Sequence, residues 1–246
     1  IVISHVVDNT TTQVNLLDSL GNPTETNIPL TFYDDFSDIV KYNFVHTMNH
    51  MGNPDTMIID PVLKYRVVAH TIPPVESEVI TIQPGEHTII PLITPQGKLK
   101  IILNTKKDYQ FIVRKAGENN TINVQNINKE QNYITGLYDI ELLTLPRQYF
   151  KDVRINQNQL TKLQLPSTGL ANVLLPANGY GGVYLNDGDK LEEIYKFNGE
   201  SNQYKLTLLP GKYTVIYRAK SSKKYIYSNE KSFTIKSGKS QLIKIY

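Results

Sequence analysis

A long segment of this sequence occurs more than once, and that repetition constrains the fold more than any other feature. Residues Tyr65–Gly97 return as Tyr138–Gly169, and a fainter third copy closes the chain at Phe233–Tyr246. A spacing of roughly 75 residues is too long for a solenoid repeat and suits a small domain. The sequence therefore predicts three copies of one module. Matching pairs in the first two copies are Tyr65 and Tyr138, Thr71 and Thr144, Pro73 and Pro146, and Ile82 and Ile155.

The pattern within each copy is that of short β-strands. Apolar and polar residues alternate over five or six positions, as in Thr12–Leu17 and Leu160–Leu165, and Gly-Asn-Pro or Pro-Gly turns separate the segments. Short strands with frequent turns are typical of immunoglobulin-like β-sandwiches. We therefore expect an all-β chain of three tandem sandwich modules, with boundaries at 9–94, 95–168 and 169–246.

The composition agrees with this prediction and excludes several classes of protein. The chain has no cysteine and 16 tyrosines, so disulfides and thiolate metal sites are excluded and strand-forming residues are abundant. No apolar run approaches the ~20 residues of a transmembrane helix, so no transmembrane segment is expected. Because the chain begins without Met, we expect a processed product or a fragment.

Charge is distributed unevenly along the chain. Residues 1–93 hold 3 basic and 11 acidic side chains, residues 94–168 hold 11 and 6, and residues 169–246 hold 12 and 6. A chain with one acidic and one basic end can orient against a charged neighbour or stack head to tail with itself, although such a gradient is also common on a merely solvated surface. Nucleic acid is not an expected partner, because stacking platforms and a recognition helix are both missing from the pattern.

Several segments of the chain resemble a known family. They are similar to the region downstream of the von Willebrand factor A (vWA) domain in large envelope proteins of Bacteroidota. The segments that carry this resemblance are Asn9–Leu17, Gly21–Asn27, Thr31–Tyr33, Lys41–Thr47, His70–Pro73 and Leu143–Arg147.

The resemblance implies prealbumin-like modules related to carboxypeptidase-regulatory-like domains, with residues 1–8 as the end of the preceding vWA domain. The adhesion motif Asp-x-Ser-x-Ser, which holds Mg²⁺ or Ca²⁺ in A domains, does not occur in this sequence. On this reading the metal site belongs to the vWA domain, and no cofactor is expected in this chain.

Three groups of residues could bind metal by their spacing. His46 and His50 have the i, i+4 spacing of a helical zinc site, but their neighbours favour a strand. Asp34, Asp35 and Asp38 could chelate calcium, yet a solvated acidic loop explains them more simply. The segment Asn186–Asp189 imitates part of a calcium loop but lacks the distal Glu, and a hairpin turn accounts for it. We therefore expect no metal site.

No motif for catalysis appears. A Gly-x-Ser-x-Gly elbow and a phosphate-binding loop are both missing, and the histidines are scattered. His70 and His87 align with Leu143 and Leu160 in the second copy, which predicts packing positions for both imidazoles. The sequence therefore predicts a chain with no catalytic residues, which is not an enzyme.

Tyrosines of the third module are the candidate binding residues. Amphipathic rings often contact sugars or proteins, although about half of these tyrosines could instead be core residues. The candidates are Tyr180, Tyr184, Tyr195, Tyr225 and Tyr227.

These observations predict a stalk or docking scaffold of an exported envelope protein, in the periplasm or on the outer-membrane surface. Its partners would be other envelope proteins in an outer-membrane complex. The alternative is a carbohydrate-binding accessory module, which would show a planar row of exposed aromatic side chains on one sheet. A scaffold would instead bury tyrosines at module junctions or against a partner, and an inert spacer would show neither feature.

Overall fold

A computed structural model of the 246-residue chain describes residues 10–24, 27–222 and 228–246. All the regular secondary structure in these ranges consists of β-strands, so the predicted all-β class is confirmed. The strands form six sheets, two in each third of the chain, which gives three tandem β-sandwiches. Residues 1–8, predicted to end a preceding domain, lie outside the described ranges.

The first sandwich pairs the sheet β4-β1-β8 with the sheet β3-β2-β5-β6, in which β7 also pairs with β5. Alternation places Val14 and Leu16 of β1 in the core, where they join Phe32, Tyr65 and other buried residues. Its strands are β1 (Thr11–Leu17), β2 (Pro29–Asp34), β3 (Val40–Val45), β4 (Met57–Ile58), β5 (Lys64–Ala69), β6 (Val75–Glu76), β7 (Ile80–Thr81) and β8 (His87–Ile93).

The second sandwich has the sheets β12-β9-β15 and β11-β10-β13-β14. Buried residues alternate along two of its strands, with Leu99 and Ile101 on β9 and Phe111 and Val113 on β10, whereas β13 is buried at every position from Tyr138 to Leu142. Its strands are β9 (Gln96–Ile102), β10 (Gln110–Lys115), β11 (Thr121–Asn126), β12 (Gln131–Ile134), β13 (Gly136–Leu142), β14 (Gln148–Ile155) and β15 (Leu160–Gln164).

The third sandwich has the sheets β19-β16-β22 and β18-β17-β20-β21. Tyr213 and Tyr217 of β20 are buried in its core, and Tyr213 stacks on Phe233 with ring centroids 5.6 Å apart. Its strands are β16 (Gly169–Leu174), β17 (Gly179–Asp187), β18 (Lys190–Lys196), β19 (Gln203–Leu208), β20 (Gly211–Ala219), β21 (Asn229–Ile235) and β22 (Ser240–Lys244).

The three sandwiches share details that the sequence repeat predicts. Both β1–β8 and β16–β22 are parallel pairs of a first and a last strand. The turn before the last strand has a residue with positive φ in each sandwich: Gly85 at 79°, Asn158 at 56° and Gly238 at 67°. Glycine adopts this conformation at low cost, and asparagine and aspartate adopt it more readily than other side chains, which is consistent with the residue types at the three positions.

By its internal contacts the chain divides into two compact units, and each includes part of the second sandwich. The predicted module boundaries at 94/95 and 168/169 stay a prediction. The first unit is Ile1–Leu99, Glu130–Leu137 and Arg154–Thr161, and the second is Lys100–Lys129, Tyr138–Val153 and Lys162–Tyr246. In each sandwich we call the end at which the first strand begins the leading end, and the end at which that strand finishes the trailing end.

Candidate functional site: the junctions between sandwiches

A short segment after β5 and its equivalent after β13 contact the next sandwich in the same way. Each has the sequence Thr, an aliphatic residue, and Pro: Thr71–Pro73 and Thr144–Pro146. Both threonine hydroxyls donate to the carbonyl oxygen of the proline two residues later, over 2.6 Å and 2.7 Å. This bond fixes the backbone of the segment and leaves the carbonyl of its middle residue free to accept a bond from elsewhere.

The middle residues, Ile72 and Leu145, accept backbone hydrogen bonds from the following sandwich. Within the first unit the Ile134 N–H donates to the Ile72 carbonyl over 2.7 Å, and within the second unit the Leu209 N–H donates to the Leu145 carbonyl over 2.8 Å. The two donors occupy equivalent positions, because Tyr133 pairs with Gly97 and Leu208 pairs with Gly169 at the leading ends of β9 and β16. We call Ile72 and Leu145 the accepting residues and Ile134 and Leu209 the donating residues.

The second junction also has an apolar component. The partly buried Leu145 packs against the core of the third sandwich. Tyr213, fully buried in that core, donates its hydroxyl to the Leu209 carbonyl over 2.6 Å, so the donating residue is held from both sides. Burial strongly raises the pKa of the Tyr213 hydroxyl. Tyr109 donates to the Thr207 carbonyl over 3.3 Å, which places a tyrosine at the junction as the scaffold hypothesis expects.

The first junction has a polar component in its place. The loop after β1 meets Gln157, in the turn between β14 and β15. Ser19 donates to the Gln157 amide oxygen from its N–H over 3.1 Å and from its hydroxyl over 2.8 Å, and the Gln157 amide donates to Asp18 over 3.0 Å. Hydrogen bonds to the Asp18 carboxylate, first of all from the Asn22 N–H, hold the pKa of Asp18 below its usual value.

A polar cleft of about 610 Å³ lies beside this contact within the first unit. Its walls include Asp18, Lys98, Glu130, Asn132 and Gln157. This size is in the usual range for small-molecule sites, but such sites are normally lined mostly by apolar groups.

The sequence repeat indicated only the accepting segment of each junction. It aligned Thr71 with Thr144 and Pro73 with Pro146, the residues on either side of the accepting residues. Gln157 and Tyr109 were missed as functional candidates. Gln157 aligns with Pro84 and Ser237, so no shared residue type marked its position.

The candidate binding tyrosines of the third module do not form a row in the described part of the chain. Tyr180 is 45% exposed, and one edge of its ring lies beside Gly199. Tyr184 is partly buried and donates to Glu193 over 3.0 Å, while Tyr195 packs edge-on against Phe197 and Tyr204. Tyr225 and Tyr227 lie outside the described residues. Binding by these five tyrosines stays a prediction.

The two candidate zinc ligands have different environments. His46 is buried and its Nε2 lies 2.9 Å from the Val14 carbonyl oxygen, whereas His50 is exposed. His46 Nδ1 has no hydrogen-bond partner among the described residues. Burial lowers the pKa of His46, with a smaller opposing effect from the Val14 carbonyl.

The candidate calcium ligands are held by protein groups. Asp34 accepts the Ser37 hydroxyl over 2.6 Å, and Arg66 contacts both Asp35 and Asp38. The segment Asn186–Asp189 forms the predicted two-residue turn, with Asp187 paired to Lys190. Within residues 10–24, 27–222 and 228–246, no group of three or more His, Cys, Asp or Glu could hold a metal ion.

His70 and His87 were predicted as packing positions, and that prediction is wrong. Both imidazoles are exposed, with His70 Nε2 2.7 Å from the Thr31 hydroxyl and His87 Nδ1 2.9 Å from the Thr11 hydroxyl. The outer face of a strand can carry either a polar or an apolar residue, so alignment with leucine did not indicate burial.

One buried carboxylate of the second sandwich organises the outer face of β13. Asp139 accepts hydrogen bonds from Lys151 Nζ over 2.8 Å and from the N–H groups of Gly117 and Asp152, each over 3.1 Å. Lys151 and these N–H groups lower the pKa of Asp139 to about 2. The neighbouring Glu141 pairs with Arg114 and Arg147.

Comparison with known proteins does not assign a family. No protein-family profile and no curated protein match the chain. In the described part of the chain, no helix has the length and hydropathy needed to cross a bilayer.

Several solved structures show a weak likeness. The Bacillus anthracis TIE protein is 14% identical with a TM-score of 0.25, over 96% of this chain and 50% of that one. A streptococcal ancillary pilin is 12% identical with a TM-score of 0.28, over 96% and 98% of the two chains. A putative cell adhesion protein from Parabacteroides distasonis is 13% identical with a TM-score of 0.22, over 92% and 84%. The present chain thus spans half of the first of these proteins, and scores this low assign no function.

Proposed function

We propose that this chain is a non-catalytic stalk or docking scaffold of a vWA-type bacterial envelope protein. It mediates protein–protein interaction in an outer-membrane or cell-surface assembly. The observation that supports this best is the repeated junction, in which Ile72 and Leu145 accept equivalent hydrogen bonds from the next sandwich. An inert spacer would not require two equivalent hydrogen-bonded contacts between its domains.

The junctions supply what a scaffold requires, namely contacts between consecutive sandwiches in addition to the connecting chain. Each combines a backbone hydrogen bond with side-chain contacts: Gln157 with Asp18 and Ser19 at the first junction, and Leu145 with the third core at the second. Neighbouring domains joined only by a linker would move independently, because linkers resist bending weakly. The assignment to vWA-type envelope proteins, and the exported location it implies, depend on the sequence resemblance.

A carbohydrate-binding accessory module is the second candidate. The observation that favours it is the polar cleft beside Asp18, whose carboxylates and amides could bond to sugar hydroxyls. The row of exposed aromatic side chains that this function normally uses is not formed by Tyr180, Tyr184 and Tyr195. The scaffold is therefore the better-supported proposal.

The test is to purify the tagged native protein from its own membranes after mild cross-linking and to identify the chains that are bound stoichiometrically. The scaffold proposal expects one or more envelope proteins cross-linked to the sandwiches. The same sample is applied to a glycan array with an Asn132→Ala variant as control. Glycan binding that is lost in this variant, without any co-purifying chain, would establish the second candidate instead.

A further inference from the structure

The accepting position of the third sandwich and the donating position of the first sandwich take part in neither of the two junctions. The residues at these two positions carry opposite charges. In the third sandwich, β20 aligns without a gap with β5 and β13, since Tyr213 is equivalent to Tyr65 and Tyr138. The residue of β20's continuation that matches the accepting residues Ile72 and Leu145 is Lys220. Its side chain is exposed at the trailing end of the third sandwich.

The position at the leading end of the first sandwich follows from strand pairing. Thr11 pairs with His87 as Leu170 pairs with Ser240, so Thr10 is equivalent to Gly169. Thr11 also pairs with Ile58, as Leu170 pairs with Thr207. Asp60, two residues after Ile58, is therefore equivalent to the donating residue Leu209, two residues after Thr207. Asp60 is exposed, and its carboxylate accepts the Val62 N–H over 2.9 Å, which fixes its orientation.

Two exposed apolar side chains lie at the same end of the first sandwich as Asp60, one on the Asp60–Lys64 segment and one on the loop bonded to Lys64. Phe36 is 99% exposed and Val62 is 84% exposed, at the leading end of the first sandwich. The loop that carries Phe36 is well held: the Asp35 N–H donates to the Lys64 carbonyl over 2.9 Å, and Arg66 contacts Asp35 and Asp38. A fully exposed Phe on an ordered loop costs free energy in water and becomes favourable when a second surface covers it.

We propose that a second copy of this chain occupies this surface head to tail, with Lys220 of one copy beside Asp60 of the next. The arrangement uses the positions that are equivalent to the accepting and donating residues of the internal junctions. The Asp60 N–H already donates to the Tyr42 hydroxyl over 3.3 Å, so the proposed contact is an ion pair between side chains rather than a backbone hydrogen bond. The charges of the two modules also fit, because residues 1–93 hold 3 basic and 11 acidic side chains and residues 169–246 hold 12 and 6. Such a contact joins different surfaces of the two copies, so it produces rings or open chains of copies rather than a symmetric dimer with the same surface on both sides.

This inference goes beyond the scaffold function and does not depend on it. A scaffold can hold partners without self-association, and the chain can self-associate whatever else it binds. Lys220 and Asp60 provide specificity, and the apolar contact of Phe36 provides affinity.

Sedimentation velocity of the purified 246-residue chain over a wide range of concentration, at low and at high salt, tests the proposal. We expect a weight-average sedimentation coefficient that rises with concentration at low salt and rises less at high salt, because screening weakens the ion pair. Asp60→Lys and Lys220→Asp should each weaken the association about tenfold or more, through like-charge repulsion at the contact. Phe36→Ala should weaken it without changing its salt dependence.

The decisive step is charge exchange. The double variant Asp60→Lys/Lys220→Asp, and a mixture of the two single variants, should both regain most of the association. The matched control reverses an exposed pair of the second sandwich, Asp108→Lys with Lys129→Asp, and should associate as the wild type does. A monomer at every concentration, a control as weak as the single variants, or failure of the exchange to restore association would overturn the proposal.

Discussion

The backbone N–H of Leu209 donates a 2.8 Å hydrogen bond to the carbonyl oxygen of Leu145. At the equivalent positions of the preceding junction, the Ile134 N–H donates to the Ile72 carbonyl oxygen. The threonine before each accepting residue bonds in the same way to the proline after it. A local repeat in the sequence thus produces a repeated contact between successive sandwiches.

Truncating the side chain of Leu145 should destabilise the third sandwich. Leu145→Ala removes apolar surface from the core of that sandwich, which we expect to cost about 1–2 kcal/mol of unfolding free energy for a partly buried leucine. Urea unfolding followed by circular dichroism measures the change. The control is Leu242→Ala, at a position 55% exposed, which should cost less than about 0.5 kcal/mol. Equal effects of the two substitutions would contradict the packing of Leu145.

Replacing Gly238 tests the turn that precedes the last strand. Gly238 has a φ of 67°, and a Cβ there would meet no atom within 4 Å, so any cost comes from the backbone alone. We expect Gly238→Ala to cost about 1–2 kcal/mol of unfolding free energy. Gly238→Asn should cost less, because Asn158 occupies the equivalent position at 56°. Thermal unfolding of both variants checks the order, and a less stable asparagine variant would refute it.

Asp139 should make stability depend on acid pH. Because its folded-state pKa is lowered to about 2, it stabilises the fold fully above the unfolded pKa near 3.8, and this contribution is lost as pH falls toward 2. Asp139→Asn should lower stability at neutral pH and flatten the profile between roughly pH 5 and 2. Urea unfolding at several pH values measures both effects. Asp187→Asn, at an exposed position, is the control and should retain the wild-type profile.

His46 should add a second dependence nearer neutral pH. Burial lowers its folded-state pKa below 6.5, so the unfolded chain binds the proton more readily and stability decreases as pH falls from above 6.5 through the folded value. His46→Gln should remove this decrease, whereas His50→Gln, at an exposed site, should leave it in place. An unchanged profile in the His46 variant would show that the imidazole is not buried in solution.

Much of the fold could be predicted from the sequence because the repeat and the alternation act together. Tyr65, Tyr138 and Tyr213 all lie on alternating strands and are all buried, as expected for half-buried sheets. The turns at Gly85 and Gly238 follow from glycine alone.

The contacts at the junctions between sandwiches could not be predicted in the same way. Ile134 and Leu209 act through backbone N–H groups, which every residue except proline has, so no residue type marks them. Gln157 contacts Asp18 from 139 positions away, and no local pattern connects the two. The exposure of His87 depends on which face of β8 it occupies, and a one-residue change of register would reverse it. His70 directly follows the last residue of β5, so strand alternation does not determine its exposure.

Amide hydrogen exchange at Ile134 and Leu209, measured by NMR on the whole chain, tests the central claim most directly. If these N–H groups are bonded to Ile72 and Leu145, both should exchange far more slowly than unstructured amides, and Leu145→Ala should accelerate Leu209 while Ile134 keeps its rate. Exchange of both amides at the rate of an unfolded chain would contradict the repeated junction.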